Sequence, residues 1–309
     1  MKKSWKYLLF VLTFCVVFFV SFKMNIHRLE FAPMKLMETD WDETDGTIYE
    51  DLDYENENGN KYNLYVPKNL DKKQEQYLIL YIHGGSFNSG AKGDGDIWCR
   101  YYASKGYITA SVDYTLQNQG KDASLFLMNE EMENAVKAIQ EKTKKLGYQV
   151  SGMAASGVSA GGTLAMNLAY GGNSAIPVKF VFQLVAPTYF APEDWTSLMK
   201  ADHLESDEAF YQMMTGMELD DKGYMREMKK ISPACIVREG TVPTLMGYGL
   251  KDHSIPANQK FYLIDALKKY DVSYEYIEFP NSNHLLYGDM DKMQEFIDKS
   301  LEYCEKYFQ

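Results

Sequence analysis

Cysteine is scarce and never closely paired: Cys15, Cys99, Cys235 and Cys304 are spread over 309 positions. That spacing excludes a disulfide scaffold and a thiolate zinc cluster, so the fold rests on burial alone. Basic residues are also short, 32 Lys and Arg against 43 Asp and Glu, and the net charge of -11 argues against a nucleic-acid partner. Histidine numbers only five, which leaves few candidates for a catalytic base. The long apolar run, residues 7–22, has 16 positions, short of the roughly 20 that span a bilayer. No internal repeat is visible. With 46% hydrophobic residues and 24% charged ones, the chain is neither disordered nor polytopic, and it can bury a sizeable core.

What the sequence does hold begins with an export pattern. Lys2, Lys3 and Lys6 precede the apolar run, as in a positively charged signal. Residues 1–24 read as a signal anchor or a signal peptide. No A-x-A-like site follows the run, where Phe22, Lys23 and Met24 stand instead, which favours the retained anchor. Basic residues before the run keep the amino terminus inside, so the rest of the chain lies outside the cytoplasm, attached to the membrane or secreted after cleavage. An acidic stretch then gives a stalk over residues 25–46, and residues 47–309 form the globular domain.

Within that domain, short β-rich apolar runs recur at 77–82, 107–112, 152–155, 180–185, 244–247 and 274–279, with helical patterns at 128–145, 163–170 and 259–269 and along the carboxyl end. The alternation predicts an α/β fold: a mostly parallel central sheet with helices on both faces. Residues 188–232 break it, carrying apolar residues at helical spacing and no strand-like run, and read as a helical cap insertion. Six of the chain's 17 methionines lie there.

Three positions could make one catalyst. Gly157-Val158-Ser159-Ala160-Gly161 follows a strand and precedes a helix, the context that G-x-S-x-G requires to hold a serine on a sharp turn. The motif alone is weak; its context carries it. His83-Gly84-Gly85-Ser86 follows the run at 77–82, and glycines there free backbone N–H groups to stabilise an oxyanion. A serine hydroxyl needs a histidine to take its proton and a carboxylate to orient that histidine. Asp252 and His284 each follow a strand, in the order acid then base. His253 is the rival base, but it adjoins Asp252, and loop neighbours seldom orient one another while one also reaches a third group. Glu239 and Asp265 compete weakly as acids, the second lying inside a helix. Cys99 and Cys235 have neither a nucleophile turn nor a neighbouring histidine and read as buried thiols.

With these motifs the sequence resembles the α/β-hydrolase family, in its esterase and lipase branch with an H-G-G-G oxyanion motif, and is similar to small carbohydrate-ester and hormone-sensitive-lipase-like esterases. The resemblance runs from about Thr47 to the carboxyl terminus. It implies Ser159 as nucleophile, Asp252 as acid, His284 as base, and the N–H groups of Gly85, Ser86 and Ala160 as oxyanion donors. Ser86 replaces the family's third glycine, and Thr115 stands in Tyr114-Thr115-Leu116 where relatives usually carry arginine. The implied activity is hydrolysis of carboxylic esters of short or compact acyl groups, those on carbohydrates included, with no metal or organic cofactor. Peptidase, amidase or acyltransferase chemistry, or a catalytically silent binding domain, remain alternatives on the same fold.

Overall fold

The computed structural model describes residues 34–42, 44–117, 123–201, 204 and 206–309. The signal segment 1–24 and the stalk up to residue 33 lie outside the described residues. No helix among those described is long and apolar enough to cross a membrane.

Eight strands, β1 (Gly46–Asp53), β2 (Lys61–Pro67), β3 (Glu75–Ile82), β4 (Ile108–Val112), β5 (Gln149–Val158), β6 (Val178–Leu184), β7 (Thr244–Gly249) and β8 (Tyr274–Phe279), form one sheet in the order β1-β2-β4-β3-β5-β6-β7-β8. β2 runs antiparallel to both its neighbours, and every other pairing is parallel. The main helices are α1 (Asp96–Ser104), α2 (Leu125–Lys145), α3 (Ala160–Gly171), α4 (Thr196–Ala201), α5 (Asp207–Thr215), α6 (Asp221–Ile231), α7 (Pro233–Ile236), α8 (Gln259–Lys269) and α9 (Met290–Tyr307). This is the mostly parallel α/β-hydrolase sheet that the sequence predicts.

The strands are legible because both faces are covered, which turns each into a near-continuous apolar run. In β3, Leu78, Leu80 and Ile82 join the core under α2, α3 and α8, while Ile79 and Tyr81 point to the opposite core under α1 and α9. The two-residue period of the strand divides one sequence between two cores. Phe182 at 0% exposure stacks on Trp98 at 5.9 Å, and truncating such a side chain to alanine typically costs about 3–5 kcal/mol.

Two strands lie outside the sequence expectation. β1 sits at the sheet edge with a mixed burial pattern; β2, antiparallel to it, is buried on both faces, but Asn63 and two tyrosines interrupt its apolar run. The stalk also needs correction over its described part. Met37 and Trp41 are buried; the Trp41 ring lies 6.4 Å from that of Tyr65, and Arg100 Nη1 donates to the Trp41 carbonyl at 3.0 Å. Two large apolar side chains are enough to bind an acidic stretch to the domain.

The chain order sets where a site can form. From β3 the chain adds β4 on one side and then returns to place β5 on the other, so the winding direction reverses between β3 and β5. Loops leaving adjacent strands diverge at such a switch point and leave a crevice beyond the carboxyl ends. Ile82 pairs in register with Gly157, which brings the glycine turn after β3 against the Ser159 turn after β5. Between β6 and β7 the described residues form helices α4 to α7 and a short 3-10 turn.

Candidate active site

Ser159 stands between β5 and α3 with φ 55° and ψ -125°. A non-glycine residue in that region costs about 1–3 kcal/mol and is held there only by its surroundings. Those surroundings are backbone: the Ser159 N–H donates to the Leu184 carbonyl at 2.8 Å, and its own carbonyl accepts from Gly162 N at 2.9 Å. Glycine is needed on both sides of the turn. A Cβ on Gly157 would sit 2.4 Å from the Gly161 backbone, and one on Gly161 only 2.0 Å from the Ile82 carbonyl oxygen. All side chains from Ala160 to Tyr170 are buried, so α3 is a central helix with its amino end, and the positive pole of its dipole, directed at the serine.

The three residues singled out from sequence come together. The Ser159 hydroxyl lies 3.1 Å from His284 Nε2, and His284 Nδ1 lies 2.8 Å from Asp252 Oδ2. A carboxylate only accepts, so Nδ1 carries the proton and Nε2 is free to accept from the hydroxyl. The Asp252 side chain is 5% exposed and that of His284 22%. The other carboxylate oxygen, Oδ1, accepts from Ser254 N at 2.8 Å and Ile255 N at 3.0 Å. Asp252 is thus fixed by its own loop before it meets the imidazole.

The rivals do not join this hydrogen-bonded row. His253 is exposed at the mouth of the same cavity as Ser159, while the bonds to the serine and to Asp252 belong to His284. His253→Ala is therefore expected to lower kcat/KM by less than about tenfold, measured on a short nitrophenyl ester; a collapse of activity would move the base to that position. Glu239 and Asp265 are exposed and outside the site. Cys99 is buried, but Cys235 is exposed on the four-residue α7; the expectation of a buried thiol there is corrected, because a helix of one turn hides little.

The glycine turn is built from three successive left-handed residues, Gly85 at φ 113°, Ser86 at 53° and Phe87 at 62°. The Gly85 carbonyl is locked by Asn88 N and Ser89 N, each at 3.0 Å. Gly84 has room for no side chain, since a Cβ would lie 2.8 Å from the Val158 carbonyl. His83 supports the turn from beneath. Its ring stacks on Tyr114 at 4.2 Å, its Nδ1–H donates to the Gly84 carbonyl at 2.7 Å, and the Tyr114 hydroxyl donates to its carbonyl at 3.0 Å. Burial lowers the His83 pKa and outweighs the bond to Gly84 that favours its charge, which keeps this ring neutral.

Thr115 takes part in a buried polar network. Glu131 is buried and accepts from Thr115 N at 2.7 Å, Thr115 Oγ1 at 2.6 Å and Asn60 Nδ2 at 2.9 Å. Burial raises its pKa against the pull of those bonds. Sequence reasoning missed Glu131, although it falls in the apolar stripe of α2 with Met128, Met132 and Ala135. A lone acid in such a stripe is a readable signal.

Two cavities meet at Ser159, Ser86 and His284. One, of about 290 Å³, is walled by Phe87, Phe190, Trp195, Met213, Met214 and Ile255, with Ala160 at its base. The other, of about 320 Å³, lies between Gly84, Gly85 and Val158 on one side and Leu285, Leu286 and Met293 on the other. Gln117 ties the first together, donating Nε2 to the Met213 carbonyl at 3.3 Å and its backbone N–H to the Phe87 carbonyl at 2.9 Å. A larger hollow of about 660 Å³, beside Lys72, Tyr148 and Gln149, lies at the start of β5, the opposite end of that strand from Ser159. Among the described residues no group of three or more His, Cys, Asp or Glu could hold a metal ion.

Comparison with known proteins fits this geometry. The BD-FAE family model matches residues 62–267. Esterase LipI of Mycobacterium tuberculosis is 30% identical over 123 residues, which cover 40% of this chain and 38% of that protein, so the match spans well under half of either. Among solved structures, Thermogutta terrifontis Est2 with butyrate bound superposes with a TM-score of 0.65 at 19% identity, covering 85% of this chain and 94% of that one. Esterase B from Lactobacillus rhamnosis superposes with a TM-score of 0.65 at 16% identity, covering 95% and 93%. Identities this low speak for the fold.

Proposed function

The chain belongs to the BD-FAE family, and from that premise we propose that it hydrolyses carboxylic esters of short or compact acyl groups, those on carbohydrate hydroxyls included. The observation that carries the reading is the hydrogen-bonded row of Ser159, His284 and Asp252 on a strained turn, opening onto two small cavities. In this mechanism the Ser159 hydroxyl attacks the ester carbon as His284 Nε2 takes its proton. Asp252 stabilises the imidazolium, and the N–H groups of Gly85, Ser86 and Ala160 receive the oxyanion. His284 then protonates the departing alcohol, leaving an acyl-enzyme on Ser159. Water, deprotonated by the same imidazole, releases the acid and restores the serine.

The size preference follows from volume. Cavities of about 290 and 320 Å³ fall at the low end of the roughly 300–1,000 Å³ usual for ligand sites. Ser86 borders both and adds a hydroxymethyl group where a glycine would leave space. Gln117, His253 and Ser254 give the first cavity a polar edge suited to a hydroxylated leaving group. Met213 and Met214 wall it, whereas Met217 and Met225 are exposed, so the first pair is the one to alter. Across acetyl, butyryl, octanoyl and palmitoyl esters, kcat/KM is expected to peak at the short end. Met213→Ala should raise the octanoyl to butyryl ratio by about tenfold, the worth of a methylene or two in an apolar pocket. A parent that prefers palmitoyl, or a variant with an unaltered profile, contradicts the size argument.

The proposal places the domain outside the cytoplasm, held by the amino-terminal apolar segment. Protease added to intact cells is then expected to digest the domain; protection would put it inside, and a soluble form lacking about the first 23 residues would point to cleavage.

A further inference from the structure

The loop between β8 and α9, which presents His284, has no ladder or helix to fix it. Its anchor is Asp289, a residue outside the triad and only 4% exposed. Asp289 Oδ2 accepts from Asn281 N at 2.8 Å and from Ser282 Oγ at 2.6 Å, and Oδ1 accepts from Asn281 Nδ2 at 2.9 Å. Ser282 Oγ in turn accepts from Gly288 N at 2.9 Å. The carboxylate therefore draws residue 281 against residue 289 and closes the loop into a ring, with His284 on its far side.

The ring is also joined to the loop of the acid. Lys251 N donates to the Ser282 carbonyl at 2.9 Å. Gly249 lies so close that a Cβ there would be 2.5 Å from the Ser282 carbonyl oxygen and 2.6 Å from that of Asn283. Within the ring Leu286 is held at φ 58° and 2% exposure. A leucine keeps such a conformation only where its surroundings over-determine it, and the ring supplies that constraint. Burial opposes the charge on Asp289, but the bonds from Ser282 and Asn281, with Lys251 nearby, outweigh it and hold the acid below its ordinary range. Three donors shared between the two oxygens suit a carboxylate, which only accepts.

We infer that Asp289 is a positioning residue for His284: its carboxylate closes the 281–289 ring and so holds the imidazole between Ser159 and Asp252. It touches no reacting atom. The inference rests on the proposed role of His284, and the effect operates through alignment, where a displacement of about 1 Å can cost on the order of 100-fold in rate.

Asp289→Asn keeps the shape but turns an NH₂ group toward a donor, and Ser282→Ala removes the hydroxyl that links Asp289 to Gly288. Both are made in the full chain and read by steady-state kinetics on a short nitrophenyl ester, by thermal melting, and by the low-field proton NMR signal of the His284 Nδ1–H. Kcat is expected to fall about 10- to 100-fold with KM changed less than about twofold, and the signal to shift or broaden in protein still folded at the assay temperature. Unchanged kcat and an unchanged signal, whatever the melting temperature does, overturn the inference. If Asp289→Asn does not fold, Ser282→Ala decides by the same readings. A parent without esterase activity would sink the proposed function, yet the signal in parent and variant would still say whether Asp289 sets the position of His284.

Discussion

Ser159→Ala is expected to remain folded while hydrolysis of a short p-nitrophenyl ester falls by about 10⁴-fold or more. The hydroxyl that is lost has His284 as its partner at 3.1 Å, and the turn that carries it is fixed by the backbone bonds to Leu184 and Gly162, which alanine keeps. Stability should therefore move little while chemistry disappears. His284→Ala should be nearly as severe, because a serine without its base is a poor nucleophile at neutral pH. The double variant should lose little beyond either single one, since groups that act as a unit are far from additive. A rate for Ser159→Ala within about tenfold of the parent would remove the serine from the mechanism.

The largest effect on folding is expected at Gly161→Ala. By helix propensity the change should stabilise, since alanine in a helix is worth about 1 kcal/mol over glycine. Contact distance predicts the reverse. The new Cβ would stand 2.0 Å from the Ile82 carbonyl oxygen and 2.5 Å from that of His83, and both are backbone atoms at the end of β3, with no flexible side chain to give way. Either α3 moves off the sheet or β3 bends, and each disturbs the turns bearing Ser159 and Gly85. A loss of more than about 3 kcal/mol is expected, beyond the usual range for overpacking. Gly171→Ala is the control, at the far end of the same helix with nothing within 4 Å of its Cβ, and should be neutral or slightly stabilising. Urea denaturation of the two variants separates the effects. Equal midpoints would mean that the close approach of α3 to β3 is wrong.

Much of this molecule is legible in its sequence because its central strands are buried on both faces. Runs such as Leu78 to Ile82 can be little else. The order of Ser159, Asp252 and His284 is legible too, since each follows a recognisable strand and the chemistry needs those three side-chain types. Legibility fails where a residue's role depends on what the fold brings beside it. Nothing near Asp289 in the sequence marks it as the anchor of a loop; the mark is the return of the chain onto Asn281 and Ser282. Phe190 and Trp195 become a cavity wall only through Phe87, whose ring lies 6.3 Å from that of Phe190. Trp41 looks like part of an acidic leader until Tyr65 and Arg100 are placed against it. Edge strand β1, with exposed Glu50 and Asp51, has the charged pattern that protects a sheet edge, and that same pattern hides it from a search for apolar runs.

The most direct measurement is mass spectrometry of the intact protein after brief exposure to a fluorophosphonate, which reacts with a serine only when its hydroxyl is activated. One adduct per chain, located on Ser159 and absent from the Ser159→Ala and His284→Ala variants, is the predicted result. No adduct on the folded parent, or an adduct on another residue that persists in Ser159→Ala, would contradict the assignment of Ser159 as the nucleophile.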